Sequence, residues 1–263
     1  MVTAQPSPAA AAAALAPLLR GAVVEGHVIA VLGLAAYLEC PRGTVAVLAP
    51  GAVPVPLGLR PVDGVLPALA VGDAARVGQG QVWVRSGGRW HGWGVRRWWP
   101  SAVRSRSGSP GPAAVDAVRQ HLPPLPPEVS TAMRSGVPAL VGLGEGLTPL
   151  GDDVLAGLLV AWWAWPQAAV GRLPALAAAV TALLPRTTPI SAALLHHAVA
   201  GHAATPLLTL VEALGRGDEG IDGGAIDSAT TGLLAVGHSS GAGLARGLLW
   251  GLTAATRELG SVA

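Results

Sequence analysis

The sequence predicts an α+β protein in which a β-rich N-terminal domain is followed by an α-helical C-terminal domain. Residues 22 to about 105 consist of short apolar or alternating stretches separated by Pro-Arg-Gly, Gly-Gly and proline-rich turns, which is the pattern of β-strands. From Pro127 onward, alanine and leucine recur at the spacing of an α-helix, and glycine and proline stand at the ends of the apolar segments. With 263 residues, of which 51% are hydrophobic, the chain has enough apolar material for a buried core.

Changes of composition divide the chain into four predicted segments. The alanine-rich residues 1–20 predict an N-terminal helix or a disordered arm, and residues 21–106 predict the β-rich domain. Residues 107–127 contain two proline-rich stretches around one short helical stretch, which predicts a linker. Residues 128–263 are the predicted α-helical domain. The clearest helical periodicity in it covers five segments: Asp152–Trp165, Ala168–Leu184, Ile190–Ala203, Pro206–Gly215 and Ala242–Leu259.

The composition excludes several kinds of cofactor chemistry. All 17 basic residues are arginine, so the chain has no lysine for a Walker-A motif, a Schiff base or a pyridoxal linkage. The single cysteine, Cys40, excludes a cysteine-based zinc site, an iron–sulfur cluster and an intrachain disulfide. The net charge of +2 does not indicate a protein that binds nucleic acid by bulk charge.

No segment predicts export or a membrane span. The N-terminal stretch is apolar, but it lacks the positively charged start of a signal peptide. The longest apolar run, Val154–Trp165, ends at Pro166 and is shorter than the roughly 20 residues that a bilayer span needs. We therefore expect a cytoplasmic protein that does not contact a membrane.

The most informative motif, called the first motif here, is LVGLGEGLTPLGDDVLAG at residues 140–157. Its alternating Gly142, Gly144 and Gly146 let the backbone approach a ligand closely and expose its N–H groups to an anion. Thr148 turns the chain towards the start of an apolar helix at Gly151, where the helix dipole favours an anion as well. We expect these five residues to bind an anionic substrate.

Asp152 and Asp153 follow directly at that helix start. One aspartate suffices to cap the helix, so the second calls for another explanation. Two adjacent carboxylates repel each other, and a cation or a ligand rich in N–H groups would relieve that repulsion. We expect both to be catalytic or to contact the ligand, with Mg²⁺ as the metal that the pair would suit; no other cofactor is indicated.

Two further polar helix starts follow in the helical half. The second motif is Arg186-Thr187-Thr188-Pro189-Ile190-Ser191, in which Thr187 or Thr188 predicts a helix cap before a proline. Arg186 beside the two hydroxyls also suits a carboxylate or a phosphate. The third motif is LLAVGHSSG at residues 233–241, where a polar helix entrance presents an imidazole and two hydroxyls. We expect catalytic roles for His238 and Ser239 and substrate binding by Ser240, while a serine cap with a structural histidine is an equally good explanation.

The third motif also has the Gly-x-Ser-x-Gly spacing of a hydrolase nucleophile at Ser239. This spacing belongs to the α/β-hydrolases, which need an acid and then a histidine after the serine. The residues after Ser239 contain Glu258 and no histidine. Serine hydrolysis is therefore disfavoured.

A basic and aromatic stretch covers residues 76–106, with seven arginines and five tryptophans. Such a stretch can bind single-stranded nucleic acid by stacking and phosphate contacts. Tryptophan also fills sheet faces, and this chain has no phenylalanine to do so. We therefore interpret the tryptophans as core and subunit contacts with arginines around them, and we expect no nucleic acid.

The three motifs together resemble a bacterial family, the AllH subunits of oxamate carbamoyltransferase, over what we expect to be most of the chain. GLGEGLTPLGDDVLAG is the specific part of the resemblance, and TTPIS and GHSSG support it. The resemblance implies a subunit of an enzyme of allantoin breakdown that transfers a carbamoyl group between a ureido acid, such as oxalurate, and phosphate.

The resemblance also implies partners and leaves an alternative open. It implies a small anionic substrate, which would be a ureido acid, carbamoyl phosphate or phosphate. It also implies an FdrA-like subunit and other subunits of the carbamoyltransferase as partners. Whether the chain also forms a homo-oligomer is left open. It does not say which subunit performs the chemistry. The alternative is a non-catalytic binding or scaffolding subunit whose glycine loop serves only tight packing.

Overall fold

The computed structural model describes residues 5–216 and 223–253. The chain divides into two compact units, Met1–Ala102 and Val103–Ala263, and each is described by itself. Within the described ranges, no helix is both long enough and apolar enough to cross a membrane.

The first unit is a closed barrel of eight strands. The strands are β1 (Ser7–Ala12), β2 (Val24–Leu32), β3 (Ala35–Cys40), β4 (Gly43–Leu48), β5 (Gly58–Pro61), β6 (Ala74–Gly78), β7 (Gln81–Ser86) and β8 (Arg89–Trp99). Their order around the barrel is β1-β5-β4-β3-β2-β6-β7-β8, with β8 pairing back to β1. Most neighbours are antiparallel, whereas β1 with β8 and β4 with β5 are parallel. Alternate residues fill the interior, as Val82 and Val84 do on β7.

The first strand corrects the expectation for residues 1–20. Residues 7–12 form β1 instead of a helix or a disordered arm, and a short helix, α1 (Ala16–Arg20), follows. Pairing explains the difference, because β1 lies between β5 and β8 and supplies the partner that both edges need: Ala9 pairs with Pro61 on one side and with Val95 on the other. Closing the barrel outweighs the helix propensity of alanine. Residues 1–4 lie outside the described residues.

The tryptophans of the basic stretch have two kinds of environment. Trp93 is 3% exposed and belongs to the barrel interior. Trp90 and Trp98 are partly exposed, and each has a guanidinium over its ring, from Arg76 at 4.6 Å and Arg20 at 5.4 Å respectively.

The second unit is helical. Its helices are α2 (Pro112–His121), α3 (Pro127–Ser135), α4 (Val137–Leu140), α5 (Leu150–Ala164), α6 (Pro166–Ala169), α7 (Leu173–Leu183), α8 (Pro189–Val199), α9 (Thr205–Leu214), α10 (Gly223–Leu234) and α11 (Ser240–Thr253). The helix expected within residues 107–127 is α2. It belongs to the packed helical unit and is not only a linker, because Ala114, Val115 and Val118 are buried in the core of this unit. The last six residues of the helix predicted over Ala242–Leu259 lie outside the described residues.

Helix α5 is the centre of the helical unit. It is apolar around its whole circumference, and 12 of its 15 residues are buried. Its closest neighbour is α11, where Gly243, Gly247 and Gly251 recur at every fourth residue and face α5. A Cβ on Gly247 would lie 1.9 Å from the carbonyl oxygen of Val154, so a side chain there would force the two helices apart. This close packing fixes the start of α11 beside the start of α5.

Candidate functional site at three helix starts

The glycine loop, residues 141–149, connects α4 to α5 and contains two kinds of glycine. Gly142, Gly144 and Gly146 all have positive φ, at 75°, 117° and 88°. The Gly142 N–H donates to Asp152, and a Cβ at Gly142 would come within 2.7 Å of the Arg186 carbonyl oxygen. Gly142 is therefore held in the packed part of the loop, whereas a Cβ at Gly146 would meet only open space.

The outer part of the loop has free backbone donors. Within the described residues, the backbone N–H groups of residues 144–148 donate to no protein acceptor. Residues 144–147 are exposed. Gly151, which we expected to bind an anion, differs: its N–H donates to the Leu143 carbonyl, and a Cβ there would lie 2.1 Å from the Leu140 carbonyl oxygen. The donors available to an anion therefore lie between residues 144 and 148.

Asp152 joins the first motif to the second. It is 1% exposed, and its Oδ1 accepts the Gly142 N–H at 2.8 Å. Its Oδ2 accepts the Ser191 hydroxyl at 2.7 Å and the Thr187 hydroxyl as well. With three protein donors, Asp152 is a structural clamp on the glycine loop. Its predicted contact with a ligand or a metal ion stays a prediction.

Asp153 points from a different side of α5, towards α11. It is 7% exposed, and its Oδ2 has no hydrogen-bond partner among the residues that the structure describes. The pKa of Asp153 is raised from 3.8 to about 7: burial is the largest cause, the Ser240 hydroxyl opposes it, and the negative charge of Asp152 adds to it. Gly243 packs against the base of this side chain, since a Cβ there would be 2.7 Å from the Asp153 Cβ.

The second motif forms the start of α8. Thr188 caps this helix, as the sequence predicts, because its Oγ1 accepts the Ser191 N–H at 3.1 Å. The Thr188 hydroxyl also donates to the Leu147 carbonyl at the tip of the glycine loop. Arg186 is exposed, and its side chain makes no hydrogen bond or ion pair within the described residues. Ser191 was not among the predicted site residues, although its position three residues after a capping threonine is a signal for a buried contact.

The third motif reaches the glycine loop through Ser240. The hydroxyls of Thr148 and Ser240 lie 3.0 Å apart, so residues far apart in the chain meet here. His238 is exposed and Ser239 is half-buried, and within the described residues neither side chain makes a hydrogen bond. No imidazole contacts Ser239 to activate it as a nucleophile in this part of the chain.

The two aspartate side chains face different helices. Asp152 faces α8 and Asp153 faces α11. Among residues 5–216 and 223–253, no three His, Cys, Asp or Glu side chains come together in a way that could hold a metal ion. This holds also for His196, His197 and His202, whose successive ring centroids are 6.1 and 6.2 Å apart.

The comparisons with known proteins concern this helical part. No solved structure matches the chain. The family model described as oxamate carbamoyltransferase subunit AllH matches residues 140–252. The match contains all three motifs and leaves out the barrel, so it is shorter than the resemblance over most of the chain that we expected. Over residues 140–252, the chain is therefore similar to the AllH subunits of oxamate carbamoyltransferase.

Proposed function

We propose that the chain is an AllH-like subunit of an oxamate-carbamoyltransferase-type enzyme and that the three helix starts form its ligand site. The transfer would move a carbamoyl group between a ureido acid, such as oxalurate, and phosphate. The observation that supports the proposal most is the meeting of the three motifs: Asp152 bonds the first motif to the second, and Thr148 contacts Ser240 of the third. The family match covers these same residues.

The available groups suit a small anion. The unpaired N–H groups of residues 144–148 would surround a carboxylate or phosphate, as such loops do in other proteins. Ser239 and Arg186 have side chains free to add a hydroxyl and a guanidinium. Because the chain has no lysine, a permanently charged side chain at this site has to be an arginine, and Arg186 fills that role in the proposal.

Calorimetric titration of the full chain with oxamate, carbamoyl phosphate and phosphate tests the proposal. Each ligand is titrated with and without Mg²⁺, because the ligand could bind together with the metal ion. We expect at least one to bind, and Arg186→Gln to weaken binding about tenfold, in line with the loss of one charge-assisted hydrogen bond. The matched control is Arg134→Gln, which alters an exposed arginine of α3 whose side chain donates to Thr131.

The alternative is a scaffolding subunit with no ligand. The roles of Gly142, Gly151 and Asp152 favour it, because all three serve packing. Absence of binding of every ligand, both by the chain alone and with its partner subunits present, would support the scaffold and contradict the proposed site.

The proposed function requires partner chains, an FdrA-like subunit among them. Co-expression of a tagged chain with the products of neighbouring genes tests this requirement. We expect a stable complex that survives gel filtration; a chain that elutes alone, or only with copies of itself, would contradict the subunit assignment.

A further inference from the structure

The barrel has a cavity that the proposed function does not use. Its volume is about 270 Å³, just below the roughly 300–1,000 Å³ of most small-molecule sites. It lies where β1 and β8 begin and where the chain leaves β5: Ser7 of β1 pairs with Trp93 of β8, and Asp63 follows two residues after β5. The residues that line it belong to the barrel unit, whereas the family match covers only residues 140–252. A role for this cavity is therefore additional to the site at the three helix starts.

Two tryptophans line the cavity. Trp93 is 3% exposed, so it stands at the inner end, while Trp90 is only half-buried. Tryptophan is the side chain whose ring face attracts a cation most strongly. Trp90 already has such a contact, since the Arg76 guanidinium lies 4.6 Å from its ring centroid. Glu25 pairs with Arg76 at 3.0 Å, so the charge of this arginine is balanced and does not repel a cation in the cavity.

The side-chain charge in the wall of the cavity is negative. Asp63 is exposed at the mouth, and among the described residues no arginine and no other acid lines the cavity. The Asp63 Oδ1 accepts the Val65 N–H at 3.1 Å, which leaves Oδ2 free for a ligand within this part of the chain. Gln5, Ser7 and His91 add polar groups. A carboxylate beside two tryptophan rings attracts a cation and repels an anion.

We propose that the barrel cavity binds a small organic cation with an ammonium group. The positive group contacts the rings of Trp90 and Trp93, and the Asp63 carboxylate balances its charge at the mouth. Ser7 and His91 offer hydrogen bonds to a hydroxyl elsewhere on the ligand. An uncharged sugar could use the same rings and polar groups, but it would not need the carboxylate. The inference does not depend on the proposed function, because none of these residues belongs to the three motifs.

Choline and 3,3-dimethylbutan-1-ol test the need for charge, because the two molecules have the same shape and only choline is a cation. Calorimetric titration of the full chain compares them with glucose at pH 8, where free histidine side chains are neutral. We expect choline to bind about tenfold more tightly than the alcohol, which lacks the attraction to the rings and to Asp63. We expect no binding of glucose.

The variant Asp63→Asn tests the carboxylate. Asparagine keeps an oxygen for the Val65 N–H and removes the charge, and we expect the affinity for choline to fall about fivefold. The matched control is Asp73→Asn in the same loop. Asp73 accepts the Ala70 N–H in a similar turn but does not line the cavity, so the control should keep the affinity.

The variant Trp90→Leu tests the aromatic wall. Leucine keeps an apolar side chain and removes the ring, and we expect a loss of about fivefold in the affinity for choline. Trp98→Leu is the matched control, because Trp98 lies on the same strand and also has a guanidinium over its ring, from Arg20. Trp98 does not line the cavity, so this control should keep the affinity.

The outcomes decide the inference one way or the other. No binding of choline, or equal binding of choline and the neutral alcohol, overturns it. Tighter binding of glucose than of choline shows a sugar site instead. An equal loss of affinity in Asp63→Asn and Asp73→Asn, in variants that unfold at the same temperature as the unaltered chain, places the cation elsewhere and also overturns it. None of these results changes the standing of the anion site at the three helix starts.

Discussion

Two identical residues side by side, Asp152 and Asp153, have different surroundings. Asp152 accepts three hydrogen bonds and ties the glycine loop to α8. Asp153 faces α11 with one oxygen unpaired. The sequence indicated that one cap does not explain two aspartates, but it could not separate their roles. The separation depends on contacts with Ser191 and Gly243, which lie 39 and 90 residues further along the chain.

This difference predicts that the two alanine variants change stability by different amounts. Asp152→Ala leaves the Gly142 N–H and two hydroxyls without their acceptor, and we expect it to lower the free energy of unfolding by about 3 kcal/mol. Asp153→Ala removes a buried carboxyl group whose Oδ2 lacks a partner among the described residues, and we expect a change within about 1 kcal/mol. Urea unfolding followed by circular dichroism measures both. Equal destabilisation by the two variants would contradict the assignment of the clamp.

His197 predicts a dependence of stability on pH. The pKa of His197 is lowered from 6.5 to about 4, mainly by burial and in addition by the neighbouring His196 and His202. Between pH 6.5 and 4 the unfolded chain therefore binds more protons at this residue than the folded chain does. The contribution of His197 to the free energy of unfolding falls as the pH falls through this window.

Urea unfolding at several pH values checks this sign. We expect His197→Gln to reduce the loss of stability between pH 6.5 and 4, because the variant has no imidazole to protonate. His27→Gln, a substitution in the barrel, leaves His197 in place and should keep the loss. An unchanged pH profile for His197→Gln would show that this histidine is not the buried neutral group described.

At the scale of elements, the contact of α5 with α11 rests on glycine. Gly247 has no room for a Cβ, whereas Gly232 on α10 has nothing within 4 Å of the place where a Cβ would stand. We expect Gly247→Ala to cost about 2 kcal/mol of the free energy of unfolding through overpacking. Gly232→Ala should instead stabilise the protein by about 1 kcal/mol through helix propensity. Thermal unfolding compares the two, and equal tolerance of both alanines would contradict the close packing.

The elements that the sequence predicted well are those with strong local signals. The apolar run at residues 152–165 predicted α5 within two residues of each end, and Thr188 with Pro189 predicted the start of α8. The helix predicted over Ala168–Leu184 is divided into α6 and α7, because Val170 and Gly171 both have positive φ. Strand β1 was missed, since barrel closure decides it and local propensity does not. Helix α10 was missed as well, because its glycines and threonines weaken the helical pattern.

At the scale of the whole molecule, the sequence predicted that a β-rich part precedes a helical part, and it predicted the three motifs. It did not predict which polar atoms of the motifs are free of contacts within the protein. The change of periodicity near residue 127 predicted helices after strands, and the structure has that order. The closed barrel and the use of Gly142, Gly151 and Asp152 for packing come from long-range pairing that no local pattern reveals. The family match adds that the helical part carries the similarity to AllH subunits.

The three helix starts form one ligand site in this account, and a crystal structure of the full chain with oxamate tests that claim most directly. The account predicts the oxamate carboxylate against the N–H groups of residues 144–148, beside the Thr148 and Ser240 hydroxyls. Oxamate bound elsewhere on the chain would contradict the account.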